Sequence, residues 1–260
     1  MIARVPLRVS FLGGGTDLLP FAATYGGCVI AAAIDYFVYV NESFQVTTPL
    51  ESHSGLGTSG AIAVAKIKLA FPDIPDNQLF KAAVQIESLG QQDQAMAILG
   101  GFQYLEFDNC EYKATSLLPL ENTPFENFEK RLALVYLGKR TKSAADILQN
   151  EIKLIQQGAN HFALTQTKTL TNLAARAIIQ GDINTFIELF EENWQVKKKH
   201  SPDICTPSVQ AAEEYYKKMG AQAFKLCGAG SGGYALLIKP EDLDIGMPLK
   251  FTSQGVILER

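Results

Sequence analysis

Three short clusters of glycine with hydroxyl residues are the parts of this sequence best suited to chemistry. They lie at 13–17, 55–60 and 228–233. Because glycine has no Cβ, such a loop can bring its backbone N–H groups close to a ligand. Phosphate groups are frequent ligands of loops of this kind. Each cluster is therefore a candidate phosphate or substrate loop.

The second cluster, Gly-Leu-Gly-Thr-Ser-Gly at 55–60, precedes a segment without helix breakers. A helix that begins there directs its N–H groups and the positive end of its dipole at a bound anion. The hydroxyl of Thr58 or Ser59 could reach a metal ion on that anion. The cluster is not a P-loop, because no Gly-Lys-Ser or Gly-Lys-Thr follows at the required spacing. A plain turn with a helix cap is the alternative interpretation.

Two carboxylates follow this cluster, Glu87 near the end of a predicted helix and Asp93 in Gln-Gln-Asp-Gln at 91–94. A carboxylate on a helix is usually a solvated surface group. Two of them beside a phosphate loop could instead serve as a magnesium ligand and as the base that orients an alcohol.

The first cluster connects Arg8 to Asp17 through glycines and a threonine at 13–16. An arginine offers phosphate a fixed charge, and an aspartate accepts hydrogen bonds from sugar-type hydroxyls. The third cluster formally matches the dinucleotide fingerprint G-x-G-x-x-G. It leads into another predicted strand at 234–238, whereas that fingerprint requires a helix, so a dinucleotide site is disfavoured.

The glycine clusters must be positioned by the strands and helices around them. The pattern of apolar residues in those segments predicts an α+β fold with sheet at both ends of the chain. Strands are predicted at 2–11, 28–40, 102–107, 132–137, 223–227 and 234–238. Helices are predicted at 61–71, at 76–89 with Asp76 as N-cap, and from 143 to 219 with breaks at 158, 181–182 and 201–207. The connection across 41–53 is short for such a fold. Either the connections are trimmed, or disordered segments of the natural chain are absent from this sequence.

Bulk composition excludes several other classes of function. A net charge of −4 argues against a dominant nucleic-acid surface, which needs clustered Lys and Arg. No apolar run approaches the roughly 18 to 20 residues that span a bilayer, and the N-terminus lacks a leader pattern, so a cytoplasmic protein without a membrane partner is expected. The one basic run, at 197–200, is interpreted as a solvated helix end.

The cysteines and histidines do not have the spacing of a metal site. Four cysteines lie far apart without a C-x-x-C pair and are interpreted as core thiols. His53, His161 and His200 form no set with metal-ligand spacing. Phe190 and Trp194, four residues apart on a predicted helix, are expected to pack in the core.

In this order, the three clusters resemble the motifs of the GHMP kinases. The first is Val-Pro-Leu-Arg-Val-Ser-Phe-Leu-Gly-Gly-Gly-Thr-Asp at 5–17, the second Ser-Gly-Leu-Gly-Thr-Ser-Gly-Ala at 54–61, and the third Lys-Leu-Cys-Gly-Ala-Gly-Ser-Gly-Gly at 225–233. With Gln-Gln-Asp-Gln and the later Gly-Gly-Phe-Gln-Tyr-Leu-Glu-Phe at 100–107, the sequence is most similar to the D-glycero-D-manno-heptose 7-phosphate kinases and to the kinase part of fucokinases.

The resemblance implies two lobes, an N-terminal lobe at 1–130 resembling ribosomal protein S5 and a ferredoxin-like C-terminal lobe at 131–260. It also implies that ATP and Mg2+ are used. Asp93 would be the catalytic carboxylate, Arg8 would stabilise the reacting group, and Ser59 and Glu87 would hold magnesium. The nucleotide would contact Gly55, Leu56, Gly57, Thr58 and Ser59. The substrate side would comprise Gly14, Gly15, Thr16, Asp17, Gly228, Gly230 and Gly232.

The implied activity is direct transfer of the ATP γ-phosphoryl group to a sugar or sugar-phosphate hydroxyl, with the anomeric hydroxyl of a heptose 7-phosphate as the first expectation. Two differences from the family pattern are present. Thr58-Ser59-Gly60 replaces the usual Ser-Ser and a small residue, which preserves the hydroxyls, and the interval from Glu87 to Asp93 is short. A GHMP kinase for fucose, galactose or a mevalonate-like alcohol, and a silent binding module, are the alternatives.

Overall fold

A computed structural model describes residues 1–51, 54–87, 90–117, 123–140 and 142–259 of the 260-residue chain. His53 and the predicted end of the second helix at 88–89 lie outside the described residues. No helix in these ranges is long and apolar enough to cross a bilayer.

The elements of the first half alternate between strands and helices. In chain order they are β1 (Ile2–Leu12), α1 (Leu19–Tyr25), β2 (Gly27–Asn41), β3 (Val46–Thr47), α2 (Thr58–Ala70), α3 (Asp76–Glu87), α4 (Gln92–Leu99), β4 (Phe102–Asp108) and β5 (Glu111–Ser116).

The second half is mostly helical and ends in short strands. A 3-10 turn (Phe128–Arg131) leads into β6 (Leu132–Tyr136), α5 (Ala144–Gln156), α6 (His161–Gln180), α7 (Ile183–Lys197), α8 (Pro207–Lys218), β7 (Ala223–Leu226), β8 (Tyr234–Ile238), β9 (Met247–Pro248) and β10 (Ile257–Glu259). The α+β class is confirmed.

Two antiparallel sheets organise these elements. The first has the order β10-β1-β2-β4-β5, with β3 also paired to β2, and the second has the order β7-β8-β6-β9. Helices α2, α4 and α6 all contact both β1 and β2. This cover explains why β1 is buried along nearly its whole length rather than at alternate residues. The last strand, β10, pairs with β1, and the lobe boundary after residue 130 stays a prediction.

Two helices beside the glycine clusters were not predicted. Helix α1 has seven residues and begins after the first cluster with a proline in its first turn, and α4 has eight residues and begins just before Asp93. Both are too short for a clear helical period. Helix α2 begins at Thr58 instead of Ala61, because Gly57 precedes it in the left-handed conformation, with φ of 80°.

An aromatic cluster lies where the first sheet meets α7. The ring of Phe11 on β1 lies 5.4 Å from that of Phe102 on β4, and 5.9 and 6.3 Å from Phe186 and Phe190 on α7. Trp194 packs instead on Phe224 in a second cluster. The core placement predicted for Phe190 and Trp194 is confirmed. Of the cysteines, Cys28 and Cys227 are buried and the other two are only partly buried.

Replacing Phe11 with alanine removes a fully buried ring from the centre of this cluster. We expect the free energy of unfolding to fall by about 3–5 kcal/mol, because the lost contacts leave a cavity that the neighbours fill only partly. Denaturant unfolding measures the loss. The matched control is Phe162→Ala, since Phe162 is 81% exposed. Equal losses in the two variants would contradict this description of the core.

Candidate active site

One cavity of about 460 Å3 brings the three glycine clusters together with the N-terminal turns of α2, α4 and α5. Ten of the predicted site residues line it: Arg8, Gly15, Asp17, Gly55, Gly57, Thr58, Ser59, Glu87, Asp93 and Gly228. The cavity therefore unites residues from both halves of the chain.

The central contact of the cavity is an ion pair between Arg8 on β1 and Asp93 in the first turn of α4. The Nε and Nη2 atoms of Arg8 donate to Oδ1 of Asp93 at 2.8 and 2.5 Å. The Nη1 atom donates to the carbonyl of Gly55 at 2.6 Å. Arg8 is only 4% exposed, whereas 28% of the Asp93 side chain is accessible. The arginine is thus fixed by three bonds and its aspartate partner faces the cavity.

The second glycine cluster passes so close to this pair that side chains would collide with it. A Cβ at Gly60 would lie 2.6 Å from Cβ of Asp93, and one at Gly57 would lie 3.1 Å from Cγ of Arg8. The absence of these Cβ atoms lets the start of α2 approach the ion pair. The backbone N–H of Arg8 also donates to the carbonyl of Leu56 at 2.9 Å, which ties β1 to the loop.

Asp17 joins the first glycine cluster to the beginning of α4. Its buried carboxylate accepts hydrogen bonds from the backbone N–H groups of Gly15, Gln91 and Gln92 at 3.0, 3.0 and 3.1 Å, and from Nε2 of Gln92 at 3.2 Å. A carboxylate at a helix N-terminus satisfies free N–H groups and complements the dipole. Asp17 therefore fixes the turn of α4 that carries Asp93.

Glu87 and Ser59 supply oxygen atoms on the wall of the same cavity. Burial, and after it the charge of Asp93, raises the pKa of the Glu87 carboxyl above its usual range. A nearby divalent cation would favour the charged form of such a group. Magnesium commonly binds one or two protein oxygens together with substrate phosphates. The donor types of these two residues fit that requirement.

The remaining predicted residues lie behind the cavity wall. Thr16 is buried, and its hydroxyl lies 2.8 Å from the carbonyl oxygen of Gly13 and 2.9 Å from that of Cys28, so its one proton is directed at these two acceptors. A Cβ at Gly230 would meet Cα of Ile204 at 2.7 Å, so that glycine packs against the loop after α7. Gly14, Leu56 and Gly232 are likewise not on the wall. The direct contacts predicted for these five residues stay predictions.

The structure adds two cations to the wall, Arg140 and Lys197. Burial and then the charge of Arg8 lower the pKa of Arg140, and its Nη2 is a buried nitrogen with no partner in the described part of the chain. Arg140 follows a strand in the basic stretch Gly-Lys-Arg at 138–140, but no local spacing connects it to the glycine clusters. Only the tertiary fold shows where it points.

The interpretation of the basic run at 197–200 as a solvated helix end is wrong for two of its members. Lys197 is 5% exposed and His200 is fully buried, whereas Lys199 is exposed. The end of α7 packs against the first glycine cluster instead of facing water, and Glu151 on α5 supplies a buried counter-charge. Within the described ranges, no group of three or more His, Cys, Asp or Glu side chains could hold a metal ion.

Comparison with known proteins identifies the family of the chain. Models of the GHMP kinase N-terminal and C-terminal domains match residues 23–101 and 174–245. The chain is 23% identical to D-glycero-alpha-D-manno-heptose 7-phosphate kinase of Campylobacter jejuni, covering 89% of this chain and 87% of that protein. It is 25% identical to the bifunctional fucokinase/GDP-fucose pyrophosphorylase of Arabidopsis thaliana, over 71% of this chain and 19% of the relative. The Campylobacter alignment spans 296 positions, more than the chain has residues, so it contains gaps where the relative is longer.

Solved structures share the fold at low sequence identity. The crystal structure of a D-glycero-D-manno-heptose 1-phosphate kinase from Bacteroides thetaiotaomicron matches with a TM-score of 0.70 and 20% identity, over 98% of this chain and 97% of that chain. The Methanococcus jannaschii mevalonate kinase matches with a TM-score of 0.65 and 18% identity, over 94% and 92% of the two chains. With both domain models matched in order and the motif residues gathered in one cavity, the chain belongs to the GHMP kinase family.

Proposed function

We propose that this protein transfers the γ-phosphoryl group of ATP to a hydroxyl of a sugar or sugar phosphate, with magnesium as cofactor and in the cytoplasm. The first candidate acceptor is D-glycero-D-manno-heptose 7-phosphate at its anomeric hydroxyl. The observation that carries the proposal is the pair of Arg8 and Asp93, held within one cavity between a glycine loop and a second carboxylate. The heptose phosphate kinase relatives supply the choice of acceptor.

The second glycine cluster is the proposed site for the nucleotide phosphates. Residues 55–57 lead directly into α2, which begins with Thr58 and Ser59. The N–H groups of its first turn have no acceptor within the helix, and together with the helix dipole they favour an anion there. Ser59 is exposed on the wall of the cavity. Backbone amides that are already oriented cost little reorganisation when charge develops on the phosphoryl group.

Ser59 and Glu87 are the proposed ligands of magnesium. When bound, the cation neutralises phosphate charge and helps to align the transferred group. Burial, and after it repulsion by the charge of Asp93, raises the pKa of Glu87, and no cation in the described part of the chain offsets these effects. A bound magnesium ion would supply the missing positive charge.

Asp93 is the proposed base for the acceptor hydroxyl. Its carboxylate would orient the hydroxyl and take its proton while the oxygen forms the new bond to phosphorus and ADP departs. Arg8 fixes the carboxylate through two bonds to Oδ1, which leaves Oδ2 for the acceptor. Its guanidinium also offers positive charge beside the reacting groups.

Replacing Asp93 with asparagine removes the proton acceptor but keeps the shape of the side chain. We expect turnover to fall by at least about 100-fold, because a positioned base contributes that much or more to the rate. ATP binding, measured by calorimetry on the same variant, should remain nearly unchanged and serves as its internal control. Retained turnover would remove Asp93 from this role.

The variant Asp17→Asn tests whether Asp17 acts through α4. We expect a stability loss of about 1–3 kcal/mol and a lower kcat, since charged hydrogen bonds to the turn that holds Asp93 are weakened. The matched control is Asp182→Asn, because Asp182 caps α7 at the surface by accepting from Thr185. That control should leave kcat unchanged. A higher acceptor KM with normal kcat and stability would instead support the direct contact with sugar hydroxyls implied by the family resemblance.

Magnesium affinity should fall as the pH decreases. Because the pKa of Glu87 is raised, this fall should begin at a higher pH than it would for a glutamate with an ordinary pKa. Glu87 must lose its proton to bind the cation, so affinity is lost as the pH falls through the raised pKa of this group. Titration of magnesium into the protein with ADP, followed calorimetrically over a pH series, measures the effect. The variant Glu87→Gln should bind magnesium more weakly and lose this part of the pH dependence. Identical profiles in the two proteins would exclude Glu87 as a ligand.

Coupled ADP release with ATP and magnesium tests the proposed function as a whole. The acceptors to compare are D-glycero-D-manno-heptose 7-phosphate, fucose, galactose and mevalonate. Selective turnover of the heptose phosphate supports the full proposal, and turnover of another compound keeps the mechanism but changes the acceptor. ATP binding without turnover of any acceptor would favour a silent binding module.

A further inference from the structure

The ammonium group of Lys197 lies at the first glycine cluster. It comes from the last residue of α7, lines the cavity and donates to the carbonyl of Gly14 at 3.2 Å. A Cβ at Gly14 would lie only 3.6 Å from Nζ. The lysine therefore reaches the cavity beside Gly15 and Asp17, the residues of the first cluster on its wall.

A buried network lies beside Lys197 and supplies it with a counter-charge. Glu151 on α5 is fully buried; burial raises the pKa of this carboxyl, but the charge of Lys197 and the hydrogen bond from His200 outweigh that effect, and the net pKa is lowered. Nδ1 of His200 lies 3.0 Å from Oε1 of Glu151, and its Nε2 lies 2.8 Å from the hydroxyl of Thr167 on α6. Residues on or directly after α5, α6 and α7 thus meet in this network, and its carboxylate is the counter-charge of Lys197.

Lys197 retains unused hydrogen-bonding capacity. An ammonium group has three N–H donors and no acceptor. The carbonyl of Gly14 takes one of them, and no second partner of Nζ is found in the described ranges of the chain. Burying a cation is costly unless its donors are matched, so a bound ligand with oxygen atoms would complete this site.

We propose that Lys197 binds an oxygen atom of the acceptor, either a phosphate oxygen or a sugar hydroxyl, and so contributes to acceptor specificity. The inference rests on the proposed kinase function. It assigns the acceptor to the end of the cavity formed by the first cluster and α7, and the nucleotide to the end formed by the second cluster and α2. Arg8, bonded to Gly55, belongs to the nucleotide end.

The variant Lys197→Met tests this assignment, with Lys199→Met as the matched control because Lys199 lies two residues along the same run and is exposed. We expect the acceptor KM of Lys197→Met to rise about 10- to 100-fold, the range that loss of a charged hydrogen bond produces. The KM for ATP should stay within about two-fold of wild type, and Lys199→Met should match wild type in both constants. Comparing a sugar phosphate with the same sugar unphosphorylated identifies the bound oxygen, since a larger loss for the phosphorylated compound indicates phosphate and equal losses indicate a hydroxyl.

Loss of Lys197 also leaves Glu151 without its counter-charge, so the double variant Lys197→Met with Glu151→Gln is measured in parallel. We expect the double variant to regain thermal stability relative to the single one while its acceptor KM stays raised. Recovery of a normal acceptor KM in the double variant would show that Lys197 acts only through folding and would overturn the inference. An unchanged acceptor KM in the single variant would overturn it as well, with the kinase proposal intact. A wild-type protein that turns over none of the acceptors would refute the kinase proposal itself, and this inference with it.

Discussion

The bond between Arg8 and Asp93 is the interaction on which the arrangement of this cavity depends. It joins β1 to α4, and the same guanidinium holds the backbone of the second glycine cluster at Gly55. Removing two charges from water is expensive, and the cost is offset only by close geometry and further hydrogen bonds. Arg8 has both. The glycines at 57 and 60 are then required because no side chain fits between this pair and the start of α2.

A second constraint acts through Asp17, which fixes the helix that carries Asp93. The loop at 13–17 is thereby connected to residues more than 70 positions later. Lys197, more than 180 positions along the chain, also contacts this loop through the carbonyl of Gly14. The loop between β1 and α1 is thus the part of the molecule where the N-terminal sheet, α4 and the C-terminal helices meet. A change in any of these contacts would shift residues on the cavity wall, because tightly packed interiors transmit small displacements.

Local pattern was enough to predict the strands around the glycine clusters, the start of the helix after the second cluster to within three residues, and the motif residues that line the cavity. Each of these depends on a short stretch of sequence. The bonds of Asp17 to Gln91 and Gln92, and the burial of Lys197, depend on contacts between distant segments and could not be predicted in this way. The basic run at 197–200 illustrates this limit. Its charge alone predicts exposure to solvent, whereas the packing of the end of α7 against the first cluster buries Lys197 and His200. Helices α1 and α4 were missed because seven or eight residues carry too little periodicity.

The fold by itself does not select an acceptor, because a heptose phosphate kinase and a mevalonate kinase both match this chain with similar TM-scores, 0.70 and 0.65. The proposed function requires that the cavity transfers a phosphoryl group and does not only bind a nucleotide. The most direct measurement is 31P NMR of the protein with ATP and magnesium and, in separate samples, D-glycero-D-manno-heptose 7-phosphate, fucose, galactose and mevalonate. Phosphoryl transfer gives a new phosphate resonance on an acceptor that grows in step with ADP, and we expect it with the heptose phosphate. ATP that stays unchanged with every acceptor, or ADP accompanied only by inorganic phosphate, would contradict phosphoryl transfer by this cavity.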